Sequence, residues 1–158
     1  MREIMLAGSY WLHSIATVVW IGGIAFILLI VIPSAKQVLG VEAGKLMGDI
    51  SKRFTPIANY SIIVLFITGA VLAALNKQFS GIGNFSNGWS SGLIVKHVLV
   101  LGMAAVHFYR GLILAPKIAK TEPAAEKASL QKLSLNLVKV NFCLGLMVLL
   151  FSGIISIL

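Results

Sequence analysis

Charge is what this chain has least of. Only 11% of its 158 residues are charged, against 58% that are hydrophobic, and the mean hydropathy is +0.96. A soluble domain carries about a quarter charged residues. Half that share cannot coat a surface facing water, which disfavours a soluble enzyme, a disordered chain and a nucleic-acid-binding domain despite a net charge of +8. Cysteine is scarcer still. The single Cys143 lies in an apolar run, so one chain has neither a disulfide framework nor a Cys-based zinc site. No Met-rich or His-rich segment stands outside the apolar runs, and no stretch reads as a separate soluble domain.

What is present is a set of long apolar runs. No charged residue occurs between Ile4 and Ala35, a run longer than the roughly 20 residues that cross a bilayer as a helix. A signal peptide has a basic start, a short apolar core and a small-residue cleavage site. Here Glu3 follows Arg2 and the run is too long, so it reads as a retained first span. Runs at about residues 5–33, 54–75, 91–115 and 133–157 exceed the length of barrel strands. The sequence predicts an all-α fold: one domain over residues 1–158, forming an up-and-down four-helix transmembrane bundle.

The links between the runs set its orientation. Lys36, Lys45, Lys52 and Arg53 lie in the first link, and Lys117, Lys120, Lys127 and Lys132 in the third; the opposite side has only Arg2 and Lys77. The positive-inside rule places both basic links in the cytoplasm and both termini on the non-cytoplasmic side of an inner or plasma membrane. The excess of basic residues thus reads as a topology signal facing anionic lipid, with no nucleic-acid partner. The second link, Asn76 to Ser90, is rich in Gly, Asn and Ser and reads as an exterior loop. Trp89, Trp11 and Tyr10 are expected at the headgroup level. Each basic link follows an apolar-proline end, Ile32-Pro33 and Ala115-Pro116.

Ionisable residues inside a span are costly and usually mark function. This chain places all three of its histidines, His13, His97 and His107, in spans, together with Lys96, Arg110 and Lys139. Helical spacing puts Lys96, Val100, Met103, His107 and Arg110 on one stripe of the third span. His13, Ala16, Thr17, Trp20 and Gly23 share a stripe of the first, where the small residues permit close approach by a flat cofactor or another backbone. Ser134, Asn141, Gly145 and Ser152 give the fourth span a polar and small face. At about 1.5 Å per residue, His13 matches His97 in depth, and matches His107 only if the third span is shifted or a cofactor is tilted.

Three chemistries use such residues. Haem b takes axial imidazoles and needs polar partners for its propionates, for which Arg110, Lys96, Tyr109 and Asn141 are available. Copper takes imidazole, and thioether selects Cu(I); Met103 lies one turn from His107. A proton or quinone path can use the same histidines with Lys96 and Arg110. Plainer roles stand beside these. His97 can simply bond a neighbouring group, Lys96 and Lys139 can snorkel outward, and Arg110 can anchor a helix end. Met103, Met147 and Cys143 fit as packing residues, and Gly22-Gly23 as a tight helix contact.

Several short motifs point to a family. Leu12-His13-Ser14 with Val19-Trp20-Ile21-Gly22-Gly23, Ser51-Lys52-Arg53-Phe54-Thr55-Pro56-Ile57-Ala58 with Thr68-Gly69, the Lys96 to Pro116-Lys117 stretch, and Leu144-Gly145 to Gly153 resemble the membrane domain of copper resistance protein D. His13 before Trp20 to Gly23, with Lys96 and His107, also resembles the four-helix membrane protoporphyrinogen oxidases, which bind haem b. That second resemblance implies His13 and His107 as axial ligands, with Lys96 nearby.

Together these readings favour an integral membrane haem b protein with a redox or electron-transfer role, which admits a membrane oxidoreductase. Its cofactor residues are His13, His107, His97, Lys96, Arg110, Asn141, Trp20 and Gly23, with the histidines as metal ligands. The alternative is copper transport or delivery across the membrane. A third reading is a small structural subunit of a larger redox complex, and a homodimer is a further expectation for a bundle of this size.

Overall fold

A computed structural model describes residues 1–76 and 88–157. The exterior loop expected between Asn76 and Ser90, with Lys77, falls mostly outside the described residues. Every regular element is helical, and no strand occurs among the described residues. Three continuous helical stretches, Arg2–Ala74, Gly88–Lys120 and Ala124–Ile157, are long and apolar enough to cross a membrane. The chain divides into two compact units, one on each side of the undescribed segment.

The first unit is a helical hairpin. Its first arm comprises α1 (Arg2–Thr17), a π-helical turn (Val18–Gly22), α2 (Gly23–Phe26), a second π-helical turn (Ile27–Val31) and α3 (Ile32–Leu39). A 3₁₀ turn at Gly40–Glu42 leads into the second arm, α4 (Ala43–Ala74). Contacts climb one arm as they descend the other. The Arg2 guanidinium donates to the Leu75 carbonyl at 2.6 Å, His13 meets Thr68, and Gly23 meets Phe54. The arms are therefore antiparallel. The reversal sits at Gly40, whose φ of +51° is the only positive value among the described residues. Side chains rarely tolerate that backbone region, which explains glycine there. Ala58, Ser61, Ile62, Leu65 and Thr68 recur at three- and four-residue steps on the buried face of α4. Ala16, Trp20, Ile21 and Ile24 are the buried residues of the first arm's membrane run.

The second unit is also a hairpin. Its first arm comprises α5 (Gly88–Phe108), a π-helical turn (Tyr109–Leu114) and α6 (Ala115–Lys120); its second is α7 (Ala124–Ile157). Gly92 lies against Ile155, Gly102 faces Leu144, and Arg110 bonds Ser134, so these arms too are antiparallel. Small residues at such contacts let helix backbones approach closely, the main source of packing energy where lipid removes the hydrophobic drive.

The prolines explain two of the wide turns. A proline lacks an N–H, its ring clashes with the carbonyl four residues back, and it disfavours helical geometry at the residue before it. Ile32 precedes Pro33 and donates its N–H to the Ile27 carbonyl; Ala115 precedes Pro116 and donates to the Arg110 carbonyl. Both bonds span five residues, which opens the turn beneath the proline ring. The turn at Val18–Gly22 has no proline beyond it; it carries Trp20 and Ile21, two adjacent side chains that are both buried.

The outward faces carry Val18, Leu29 and Ile67 in the first hairpin and Val98, Leu112 and Leu150 in the second, all exposed. Such continuous apolar exposure suits hydrocarbon and would aggregate in water. Tyr10 and Trp11 are exposed, and Trp89, at the start of α5, is buried.

Candidate functional site

The polar side chains of the spans fall into two groups, one in each hairpin. In the first hairpin, α1 presents His13, half-buried, toward α4. Its Nδ1 lies 2.8 Å from the Thr68 hydroxyl oxygen. Thr68 is itself buried and lies 2.6 Å from the Val64 carbonyl in its own helix. The His13 carbonyl accepts from the Thr17 hydroxyl at 2.8 Å, and the ring lies beside Gly69. One turn further along, Leu12, Ile15, Ala16, Val19, Ile57, Tyr60, Ser61 and Val64 line an open, mostly apolar groove of about 310 Å³.

Trp20 and Gly23 complete the expected stripe on this arm. Trp20 is 1% exposed. Gly23 lies beneath the Phe54 ring so closely that a Cβ there would overlap it. The close approach expected at Gly23 is therefore made by an aromatic side chain of the other arm.

In the second hairpin, His107 is buried near the end of α5, with the Phe108 ring edge-on at 5.5 Å. Met103, one turn earlier on the same face, is 1% exposed. The cross-arm contacts at Gly102–Leu144 and Arg110–Ser134 place Asn141 of α7 level with this Met103–His107 turn. Asn141 is 2% exposed, and its Oδ1 finds no hydrogen-bond partner among the described residues. Arg110 donates from Nε to the Ser134 hydroxyl at 3.3 Å.

His97 is bonded within its own helix. Its Nδ1 lies 2.7 Å from the Leu93 carbonyl one turn back. A carbonyl only accepts, so this nitrogen bears the proton. Lys96 beside it is half-buried, and Lys139 is exposed on the outer face, as a snorkelling side chain should be. Cys143 and Met147 are exposed, so neither packs in the protein interior. His97 and His107 lie ten positions apart on one helix, roughly 15 Å, so they cannot ligate one ion together.

Among the described residues no cluster of three or more His, Cys, Asp or Glu side chains is placed to hold a metal ion. An ion bound here would rest on fewer imidazoles, with thioether or amide groups beside them. Sequence reasoning missed Thr68 as the partner of His13 and Phe54 as the cover of Gly23. A signal for the first exists: Thr68 continues the inward spacing of Ser61 and Leu65, an unusual place for a hydroxyl in an apolar run.

Comparison with protein families matches residues 48–155 to copper resistance protein D. That stretch contains α5, with both of its histidines, and most of α4 and α7; His13 lies before it. No curated protein and no solved structure matches the chain. Nothing in these comparisons supports the resemblance to membrane protoporphyrinogen oxidases, or haem as the cofactor. With its long apolar helices, this is a multi-pass integral membrane protein, and it belongs to the copper resistance protein D family.

Proposed function

We propose that this protein handles copper in the membrane, moving copper ions across the bilayer or delivering them to the other side. The observation that carries the reading is the family match over residues 48–155, which spans His97, His107, Met103 and Asn141. The chemistry agrees with it. Neutral imidazole suits copper and thioether selects Cu(I), and Met103 and His107 are buried together on one face of α5. His13 in the first hairpin is a second imidazole held within a span. In this reading copper is cargo, which suits few ligands at each position: an ion that must leave again is not held by a closed cage.

The full arrangement we infer is four crossings, with the basic links in the cytoplasm and both termini outside. A homodimer or a larger assembly remains compatible with the exposed small residues Gly22 and Gly153.

The test is elemental analysis of protein purified in detergent, with an absorption spectrum taken reduced and oxidised. We expect bound copper and no Soret band after haem supplementation. A stoichiometric Soret band without copper would overturn the reading and restore haem b.

A further inference from the structure

The apolar framework of the two hairpins repeats at a constant interval. Pro116 stands 83 positions after Pro33, and the wide turns before them keep that interval: Ile32 bonds the Ile27 carbonyl, and Ala115 the Arg110 carbonyl. The second arms end on it too, α4 at Ala74 and α7 at Ile157. In the first arms, Trp20, Ile21 and Ile24 correspond to Met103, Ala104 and His107. In the second arms, Ala58, Ile62 and Leu65 correspond to Asn141, Gly145 and Val148. Every one of these residues is buried. An interval one residue longer would set Ile24, Ile62 and Leu65 against Phe108, Leu146 and Leu149, all exposed. Packing across each hairpin keeps step as well. Moved by the same interval, the His13–Thr68 and Gly23–Phe54 contacts become positions 96 with 151 and 106 with 137, and the second hairpin's Gly102–Leu144 contact falls between them.

The polar groups do not repeat. His13 and Thr68 correspond to Lys96 and Phe151, and Ala58 to Asn141. Ala58 is 0% exposed and Asn141 2%, so one interior place holds a methyl group in the first hairpin and an amide in the second. The framework closes around that place without any polar atom. Asn141 Oδ1 is nonetheless buried there with no hydrogen-bond partner among the described residues, which costs stability and serves no packing need. We propose that the two hairpins are copies of one structural repeat, and that Asn141 is a binding residue set into the second copy, its amide oxygen meeting a metal cation as that cation passes. The identity of the cation as copper rests on the copper-handling reading above. An amide oxygen is a hard donor, so it holds a soft ion weakly, as a transit contact requires. Met103, at the place of Trp20, brings a thioether to the same level of the second hairpin.

The experiment has two arms, both on the full chain reconstituted in lipid vesicles. The first measures distances between paired spin labels by electron paramagnetic resonance. One pair stands at Val18→Cys and Tyr60→Cys with Cys143→Ser, the other at Leu101→Cys and the native Cys143; all four positions are exposed and correspond at the interval of the repeat. The two distance distributions should coincide, and clearly different ones overturn the repeat. The second arm measures uptake of Cu(I), kept reduced with ascorbate, by elemental analysis of the vesicles. Asn141→Ala installs the first hairpin's residue, and Asn141→Leu keeps the volume filled. At least one of the two should melt no lower than wild type and carry copper about 10-fold more slowly or worse. Wild-type uptake in a stable variant overturns the binding role, and so does a lowered melting temperature in both, which would make the amide part of the packing. If wild type carries no copper, the binding role falls with the copper reading, while the paired distances still decide the repeat.

Discussion

The two hairpins end their first arms alike and hold their histidines differently. In each, a proline is preceded by a bond spanning five residues, at Ile32 and at Ala115. But His13 is held across the hairpin by Thr68, 55 positions away, whereas His97 is held by Leu93 of its own helix. The orientation of His13 thus depends on how the arms pack, and that of His97 survives as long as α5 is a helix. A second difference is polar satisfaction. The first hairpin answers the Thr68 hydroxyl twice over, while the second buries an Asn141 oxygen with no partner among the described residues.

The largest expected effect separates the hairpins as metal sites. His107→Ala should weaken Cu(I) binding by more than about 100-fold, exceeding the usual loss on removing a supporting partner, as read by competition titration. His13→Ala should do the same if the first hairpin holds an ion of its own. Loss in only one variant would assign the site to that hairpin alone. Packing comes next. Gly23→Ala forces the Phe54 ring to move and should destabilise by about 1–3 kcal/mol, measured as reversible unfolding in mixed micelles, with Phe54→Leu restoring much of it. Gly153→Ala in α7 meets nothing within 4 Å and should be neutral or slightly stabilising.

Smaller effects test the polar contrast. Thr68→Val breaks a made bond and should cost about 0.6–1.7 kcal/mol, the range for interhelical bonds in membranes. Asn141→Leu removes a buried oxygen that has no partner among the described residues and should be neutral or stabilising, since such a group costs about 1–3 kcal/mol. If Asn141→Leu is instead the more damaging of the two, the oxygen serves a partner in the working protein. Smallest of all, Ser134→Ala removes the Arg110 contact and should cost about 0.6 kcal/mol.

Much of this was legible in the residues. Apolar length alone predicted helices that cross a membrane, because backbone groups in hydrocarbon must bond within their own segment. Of the motifs that carried the family resemblance, those around Ser51 to Ala58, Lys96 to Lys117 and Leu144 to Gly153 fall within the matched stretch, and the one around His13 and Trp20 to Gly23 lies before it. The partners were harder to read. Thr68 and Phe54 act through contacts between arms, and periodicity reports only which face a residue occupies, never what it meets there. The prolines were visible, but the hydrogen-bond register beneath them was not, because one extra residue in a turn barely disturbs a hydrophobic stripe.

Those wide turns also set direction. Each residue of a helix advances about 100° around the axis, so one residue absorbed in an opened turn retards the angular phase of everything after it by about that much. In the second hairpin, what comes after is Lys117 and Lys120; in the first it is Lys36. Pro33 and Pro116 therefore act as gearing. They decide which way the charged ends of the rods are aimed, and Pro116→Ala should swing Lys117 and Lys120 about the axis of an otherwise intact helix.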